Sequence, residues 1–236
     1  EGRLGPVNSE QIDYLQSAIE SCEEVVTMID NLLDMQRYNS GRMNIRITNV
    51  DPLSILADAV RRFFPAAERE NILLTLTAES STSEIAVDIS IMARVIANLV
   101  GNALKFTPEG GFITISCRSI KQSELHCIER PHYAVLPNVF PVPESYALIS
   151  VSDNGNGISP AELTCIFERY VQAGNSSRRG QGGAGLGLAF CKKAVEDFNG
   201  CIWAESVEDS GSKFFILIPC HVADASYTNQ MPEPCS

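Results

Sequence analysis

The sequence predicts an α+β fold, a two-layer α/β sandwich with helices on one face of a mixed sheet, preceded by a long helix of coiled-coil type. Three observations carry that prediction. Apolar residues near the N-terminus recur three and four apart, segments of helical and strand periodicity are interleaved from Asn44 onward, and two strand-like runs close the pattern. Ile12, Leu15, Ile19, Cys22, Val26, Ile29 and Leu33 trace one heptad seam. Asn8 and Gln11 suit an N-terminal cap and Asn39, Ser40 and Gly41 a stop, which places the helix over Ser9 to Tyr38. Such a helix either lies on its own domain or coils against a partner, and the length of the seam favours a bundle.

From Asn44 the pattern turns to a short strand at Ile45 and Ile47, then to a helix with Leu53, Leu56, Ala59, Val60 and Phe63 on its apolar face. A strand over Ile72 to Thr77 and a long helix over Asp88 to Leu104 follow, and Gly110 and Gly111 turn the chain into a strand over Phe112 to Cys117. Proline-bearing Ser119 to Ser145 reads as an insertion between strands. Strands resume over Tyr146 to Ser152, Cys201 to Ser206 and Lys213 to Pro219, with a helix over Leu186 to Asp197. The expected organisation is an N-terminal helical piece over 1–43, a main domain over 44–220 and a tail over 221–236.

Composition bounds the function. A length of 236 residues suits one well-buried α/β domain with a smaller appendage, and 44% hydrophobic with 20% charged residues is ordinary for a globular chain. No apolar run approaches the ~18 residues of a membrane helix. The chain starts on Glu1 without a signal-peptide pattern, so a fragment is expected whose membrane attachment, if any, lies outside it. A net charge of −11 argues against nucleic acid as a partner, since phosphate backbones are gripped by clustered Lys and Arg. Eight cysteines without a CxxC pair suit reduced thiols in a cytoplasmic protein.

Three segments carry chemistry. Gly182-Gly183-Ala184-Gly185-Leu186-Gly187 places glycines at the opening of a helix, where backbone N–H groups can approach an anion; alone it could equally be a turn. Asp153-Asn154-Gly155-Asn156-Gly157 ends a hydrophobic strand on a carboxylate able to accept a hydrogen bond from a flat ligand's amino group, or forms a simple turn. In Asn98-Leu99-Val100-Gly101-Asn102-Ala103-Leu104-Lys105-Phe106-Thr107-Pro108 the two amides share a helix face, with Lys105 nearly a turn further on. That face could hold a cation and a polyphosphate, or the amides could be hydrogen-bonded at the edge of a core.

These segments together resemble the catalytic domain of sensor histidine kinases, members of the Bergerat-fold superfamily that includes DNA gyrase and a class of heat-shock chaperones. The likeness spans Asn44 to Pro219. Asn98 to Pro108 is similar to the family's asparagine box and Asp153 to Ile158 to its first glycine box. Phe167-Glu168-Arg169-Tyr170 is similar to its phenylalanine box and Gly183 to Leu188 to its second glycine box. The helix Ser9 to Tyr38, with Asn31-Leu32-Leu33-Asp34, resembles the second helix of the family's dimerisation hairpin.

The resemblance implies that ATP is the ligand. Asn102 would coordinate Mg²⁺, Asn98 would add a polar contact and Lys105 would meet phosphate oxygens. Asp153 would take the adenine amino group, Phe106, Gly155, Gly157 and Ile158 would shape its pocket, and Gly183, Gly185, Leu186 and Gly187 would surround the phosphates. Residues 159–182 would form a lid from which Arg178 and Arg179 reach the γ-phosphate, or remain solvated. Superfamily members that hydrolyse ATP carry Glu at the first position of the asparagine box. Asn98 stands there, and an amide cannot take the proton of water, so the phosphoryl group is expected to go to a histidine.

That histidine would lie on the first hairpin helix, before Gly2. Implied partners are a second copy of the chain through the N-terminal helix and a response-regulator receiver. An idle nucleotide-binding scaffold is the alternative, disfavoured by the full set of phosphate-facing residues. Departures from the pattern include Phe106 for Tyr, Ser212 for Thr, and Asp197-Phe198-Asn199-Gly200 for His-Gly-Gly. The insertion carries His126, Cys127 and His132 just after Cys117, a spacing that fits a surface loop better than a zinc site.

Overall fold

A computed structural model describes residues 45–79, 82–139, 142–171 and 185–220, with scattered positions between 8 and 29. Seven strands are described: β1 (Thr48–Val50), β2 (Leu73–Ala78), β3 (Ile85–Val87), β4 (Phe112–Lys121), β5 (Ser145–Asp153), β6 (Cys201–Val207) and β7 (Gly211–Pro219). The helices are α1 (Pro52–Arg69), α2 (Ile89–Phe106), the single turn α3 (Pro160–Leu163) and α4 (Gly187–Asp197). Five strands form one mixed sheet in the order β2-β4-β5-β7-β6, in which β2 and β4 run parallel and every other pair is antiparallel. The parallel pair needs a long crossover, and it contains α2.

Helix starts follow local chemistry. The Asp51 carboxylate accepts the Leu53 N–H at 2.9 Å, with Pro52 at the first helical position where its missing N–H costs nothing. Asp88 accepts the N–H groups of Ser90 and Ile91 and so begins α2 one residue later than the sequence pattern suggested. Each such cap is worth about 1 kcal/mol. Three helices, α1, α2 and α4, form one layer with α2 in the middle. Ile91, Met92, Val95, Ile96, Leu99 and Val100 of α2 are buried against the sheet face presented by Ile113, Ile115, Ile149, Val151 and Ile216.

At 18 residues α2 is long and apolar enough to cross a membrane, contrary to the expectation that no run came near that length. Its apolar residues are here the central packing of the domain.

The first strand lies at Thr48–Val50 rather than Ile45 and Ile47, and it pairs antiparallel with β3, which periodicity did not flag. β4 continues four residues beyond Cys117 to Lys121, so the insertion starts later than Ser119. It opens with a 3₁₀ turn, Gln122–Cys127, and covers the sheet face opposite the helices. There Leu125, Ala134 and Leu136 pack with Tyr146, Leu148, Trp203, Phe215 and Leu217. Cys117 is buried on the helix side of the sheet whereas His126 and Cys127 are exposed beyond the other face, so these three cannot share a metal.

Among the scattered N-terminal residues, Glu10 to Ile12, Leu15, Ile19 and Ile29 are helical. Asn8 and Gln11 exchange hydrogen bonds, Oδ1 from Gln11 N at 2.8 Å and Oε1 from Asn8 N at 3.0 Å, a reciprocal cap at the expected place. Ile12, Leu15, Ile19 and Ile29 are all more than half exposed. Val26, Leu33 and the expected stop at Asn39 to Gly41 lie outside the described residues, as do the tail and residues 172–182 of the expected lid.

Candidate nucleotide site

The motif residues meet at one end of the sheet, where β4 and β7 begin and β5 and β6 finish. The register fixes this: Asp153, the last residue of β5, lies opposite Ile113 of β4 and Ser212 of β7. Asp153 is 8% exposed, and its Oδ1 accepts the N–H groups of Gly155 at 2.8 Å and Ser212 at 3.3 Å. No described residue donates to Oδ2. Burial pushes the Asp153 pKa up, and the Gly155 and Ser212 N–H groups oppose the shift. A buried carboxylate with one oxygen anchored and the other unclaimed is built to accept a donor from a ligand.

The first glycine box packs against the asparagine box. A side chain at Gly155 would collide with the Phe106 carbonyl oxygen, so only glycine lets these two backbones touch. Gly157 has φ +67°, and a Cβ there would strike the Val207 carbonyl oxygen. The next residue, Ile158, is half-buried and donates its N–H to Ser206 Oγ at 2.7 Å, which holds the strand exit on β6. Phe106 is 45% exposed, with the Lys105 ammonium 5.8 Å from its ring centroid. Both therefore stand at the rim.

The second glycine box meets the same helix further back. Asn98 Nδ2 donates to the Gly187 carbonyl at 3.4 Å, at the first residue of α4. Cys191, one turn on, is wholly buried; its thiol is pushed up to about 12 by burial and touches the Asn98 side chain. The amide of Asn98 thus ties α2 to α4, which is the structural role the sequence left open for it, and its oxygen remains available. The side chain of Asn102, one turn along, hydrogen-bonds to no described residue. A half-buried amide without a partner among the described residues fits a ligand for Mg²⁺, which takes few protein groups and completes its octahedron with phosphate and water oxygens. Among the described residues no cluster of His, Cys, Asp and Glu offers a metal site instead.

Gly185 has φ +65°, and its carbonyl accepts the Tyr170 N–H at 2.9 Å, joining the phenylalanine box to the opening of α4. Leu186 is 3% exposed, so its side chain belongs to the core and only its backbone can face a ligand. Arg178, Arg179 and Gly183 lie outside the described residues. Sequence reasoning missed Ser212 as a donor to Asp153 and Gly211 beneath it, although Asp209-Ser210-Gly211 is a readable hairpin turn. It also missed Thr107, whose buried hydroxyl has no hydrogen-bond partner among the described residues. A surface groove of about 1050 Å³ lies at the opposite end of the sheet around Arg118, Lys121 and Glu144 and contains none of the motif residues.

Comparison with known proteins agrees with this geometry. A family profile described as histidine kinase-, DNA gyrase B- and HSP90-like ATPase matches residues 87–222. The chain is 31% identical over 214 residues to the alginate biosynthesis sensor protein KinB of Pseudomonas aeruginosa, spanning 91% of this chain and 31% of that protein. It is 29% identical over 209 residues to the sensor protein GacS of Pseudomonas syringae pv. syringae, spanning 88% of this chain and 21% of that one. The chain thus spans less than a third of the curated relatives it matches.

Among solved structures, full-length ShkA in complex with AMPPNP superposes with a TM-score of 0.66 at 22% identity, over 95% of this chain and 42% of that one. The histidine kinase ThkA in complex with the response regulator TrrA gives 0.64 at 20% identity, over 92% and 53%. Sheet order, motif order and the profile match agree: the chain belongs to the histidine kinase-, DNA gyrase B- and HSP90-like ATPase family.

Proposed function

We propose that this chain is the catalytic part of a sensor histidine protein kinase, which binds Mg²⁺-ATP and passes the γ-phosphoryl group to a histidine for relay to a receiver aspartate. The observation that carries the ATP reading is Asp153, a buried carboxylate with Oδ1 held by two backbone donors and Oδ2 unclaimed. Oδ2 would accept the adenine amino group, where guanine presents a carbonyl. Asn102 would hold Mg²⁺ through its amide oxygen, and the ion when bound would neutralise phosphate charge. Lys105 would add a second positive charge at the rim, and the backbone of Gly185 to Gly187 would meet the phosphates at the N-terminus of α4. Arg178 and Arg179, in the 159–182 lid, would reach the γ-phosphate.

Asn98 separates kinase from ATPase in this reading. Its amide nitrogen is already committed to Gly187, and the oxygen left over is no base at neutral pH. Water is therefore poorly activated and the phosphoryl group is kept for imidazole. The exposed apolar positions of the N-terminal helix suit the second half of a dimerisation hairpin over residues 1–43, which makes a second copy of the chain the first partner and a receiver domain the next. The piece would work in the cytoplasm, with any membrane attachment of the parent lying elsewhere.

Titration calorimetry with ATP and GTP, each with and without Mg²⁺, tests the site. ATP should bind with a metal-dependent gain and GTP should bind far more weakly. Equal affinity for the two would remove Asp153 from its role.

A further inference from the structure

We infer that Tyr133, in the insertion between β4 and β5, is a positioning residue for the nucleotide site, acting through Phe167 on the turn after α3; the inference rests on the reading of that site as an ATP site. Most of the insertion needs no such role. Leu125, Ile128, Ala134 and Leu136 cover the outer face of the sheet, above Trp203 and Phe215, whose rings stack at 4.9 Å. Burying that face is reason enough for their presence.

Tyr133 differs because it packs against the apolar clusters on both faces of the sheet. A residue can touch both only by passing a free edge, and the edge here is β6, the last strand in the order. Ala204 of β6 presents its backbone to the Tyr133 hydroxyl. The tyrosine ring lies 6.2 Å from Phe167, and Phe167 lies 6.4 Å edge-to-face from Phe214 of β7. Phe167, at 8% exposure, is thus clamped between a core strand and the insertion.

Three residues later stands Tyr170, with φ +65°, a conformation that a bulky side chain adopts only when its surroundings enforce it. Its N–H holds the Gly185 carbonyl at 2.9 Å, two residues before α4 begins and two before the carbonyl that Asn98 grips. The rings of Tyr133 and Phe167 meet, three residues of chain lead from Phe167 to Tyr170, and the Tyr170 N–H reaches the glycines that would face phosphate. Without the tyrosine ring, Phe167 loses its aromatic neighbour on the side of the insertion.

The test compares Tyr133→Leu, Tyr133→Phe and Leu136→Ala in the full chain. Leu136 packs in the outer cluster but not in the core cluster that contains Phe167, so it reports the cost of loosening the insertion alone. ATP affinity with Mg²⁺, thermal midpoint and amide exchange over 166–171 and 186–190 are measured for each. Tyr133→Leu should weaken ATP by about 3- to 10-fold, the factor expected for losing an aromatic contact of this kind, and should speed exchange in those segments beyond the global change.

Tyr133→Phe, which keeps the ring, should restore both. Leu136→Ala should lower the midpoint and leave affinity unchanged. If Tyr133→Leu does not fold, Tyr133→Met takes its place. Unchanged affinity and exchange in the leucine variant overturn the inference, as does a loss in Leu136→Ala equal to that in Tyr133→Leu. A parent chain that binds no ATP overturns the site reading instead, while exchange measured without nucleotide still decides whether Tyr133 braces Phe167.

Discussion

Replacing Asp153 by Asn separates what the carboxylate costs the fold from what it contributes to binding. Oδ1 accepts two backbone N–H groups, at 2.8 Å from Gly155 and 3.3 Å from Ser212. In the variant those donors select the amide oxygen for that position, which turns the NH₂ group to where Oδ2 would face the ligand. The adenine amino group then meets a donor in place of a charged acceptor. A hydrogen bond to a charged group is worth about 1.5–3 kcal/mol, so ATP affinity should fall about 10- to 150-fold.

Stability should move the other way. Burial raises the Asp153 pKa above its ordinary 3.8, so the native state binds the proton more tightly than the unfolded chain does. The stability this proton contributes is complete below the unfolded value and is lost as pH rises through the folded value. At neutral pH the ionised group therefore works against folding, and Asp153→Asn should match or exceed the parent in thermal stability. ATP affinity of the parent should fall as pH is lowered from neutral through the raised pKa, and the variant should lack that step. Calorimetric titrations over this range, paired with melting curves, check both. Unchanged ATP affinity in the variant, or equal losses for ATP and GTP, would refute the reasoning.

Asn102→Ala should leave metal-free nucleotide binding nearly intact and abolish the gain that Mg²⁺ brings, as read by calorimetry in EDTA and in Mg²⁺. Gly157→Ala should destabilise the fold by about 1–3 kcal/mol, because φ +67° strains any side chain there and the Val207 carbonyl blocks its space; denaturant unfolding measures it. Ile19→Asp or Ile29→Asp should diminish concentration-dependent dimers in sedimentation, and a parent chain that stays monomeric at micromolar concentrations contradicts the seam.

The sheet and its helix layer were legible in the sequence because their signals are local. Alternation in Phe112 to Cys117, the largely apolar run of Tyr146 to Val151 and the apolar face of α2 need no knowledge of partners. β3 was not legible, since a three-residue strand carries too little periodicity to distinguish it from a loop. The far end of β4 escaped for a related reason. Beyond Cys117 its buried face changes from the helix layer to the insertion, and Ile120 belongs to the second cluster.

In the site, residues named from their motifs and the family resemblance, such as Asp153 and Asn102, stand at one end of the sheet. Their supports come from distant positions: Ser212 reaches Asp153 from 59 residues away, and Gly187 reaches Asn98 from 89. Only the folded register brings such pairs together. Trp203 shows the same limit, because nothing in its neighbourhood along the chain announces that an insertion will bury it to 1% exposure.

The measurement that bears most directly on the kinase reading follows two products in one reaction. The chain is incubated with γ-labelled ATP, Mg²⁺ and a separately supplied first hairpin helix from its own gene, and both protein-bound label and free phosphate are counted over time. Asn98, committed to Gly187 and unable to act as a base, predicts acid-labile label on the supplied helix with little phosphate released before the helix is added. Steady phosphate release with no label on the helix would make this chain an ATPase and contradict the account.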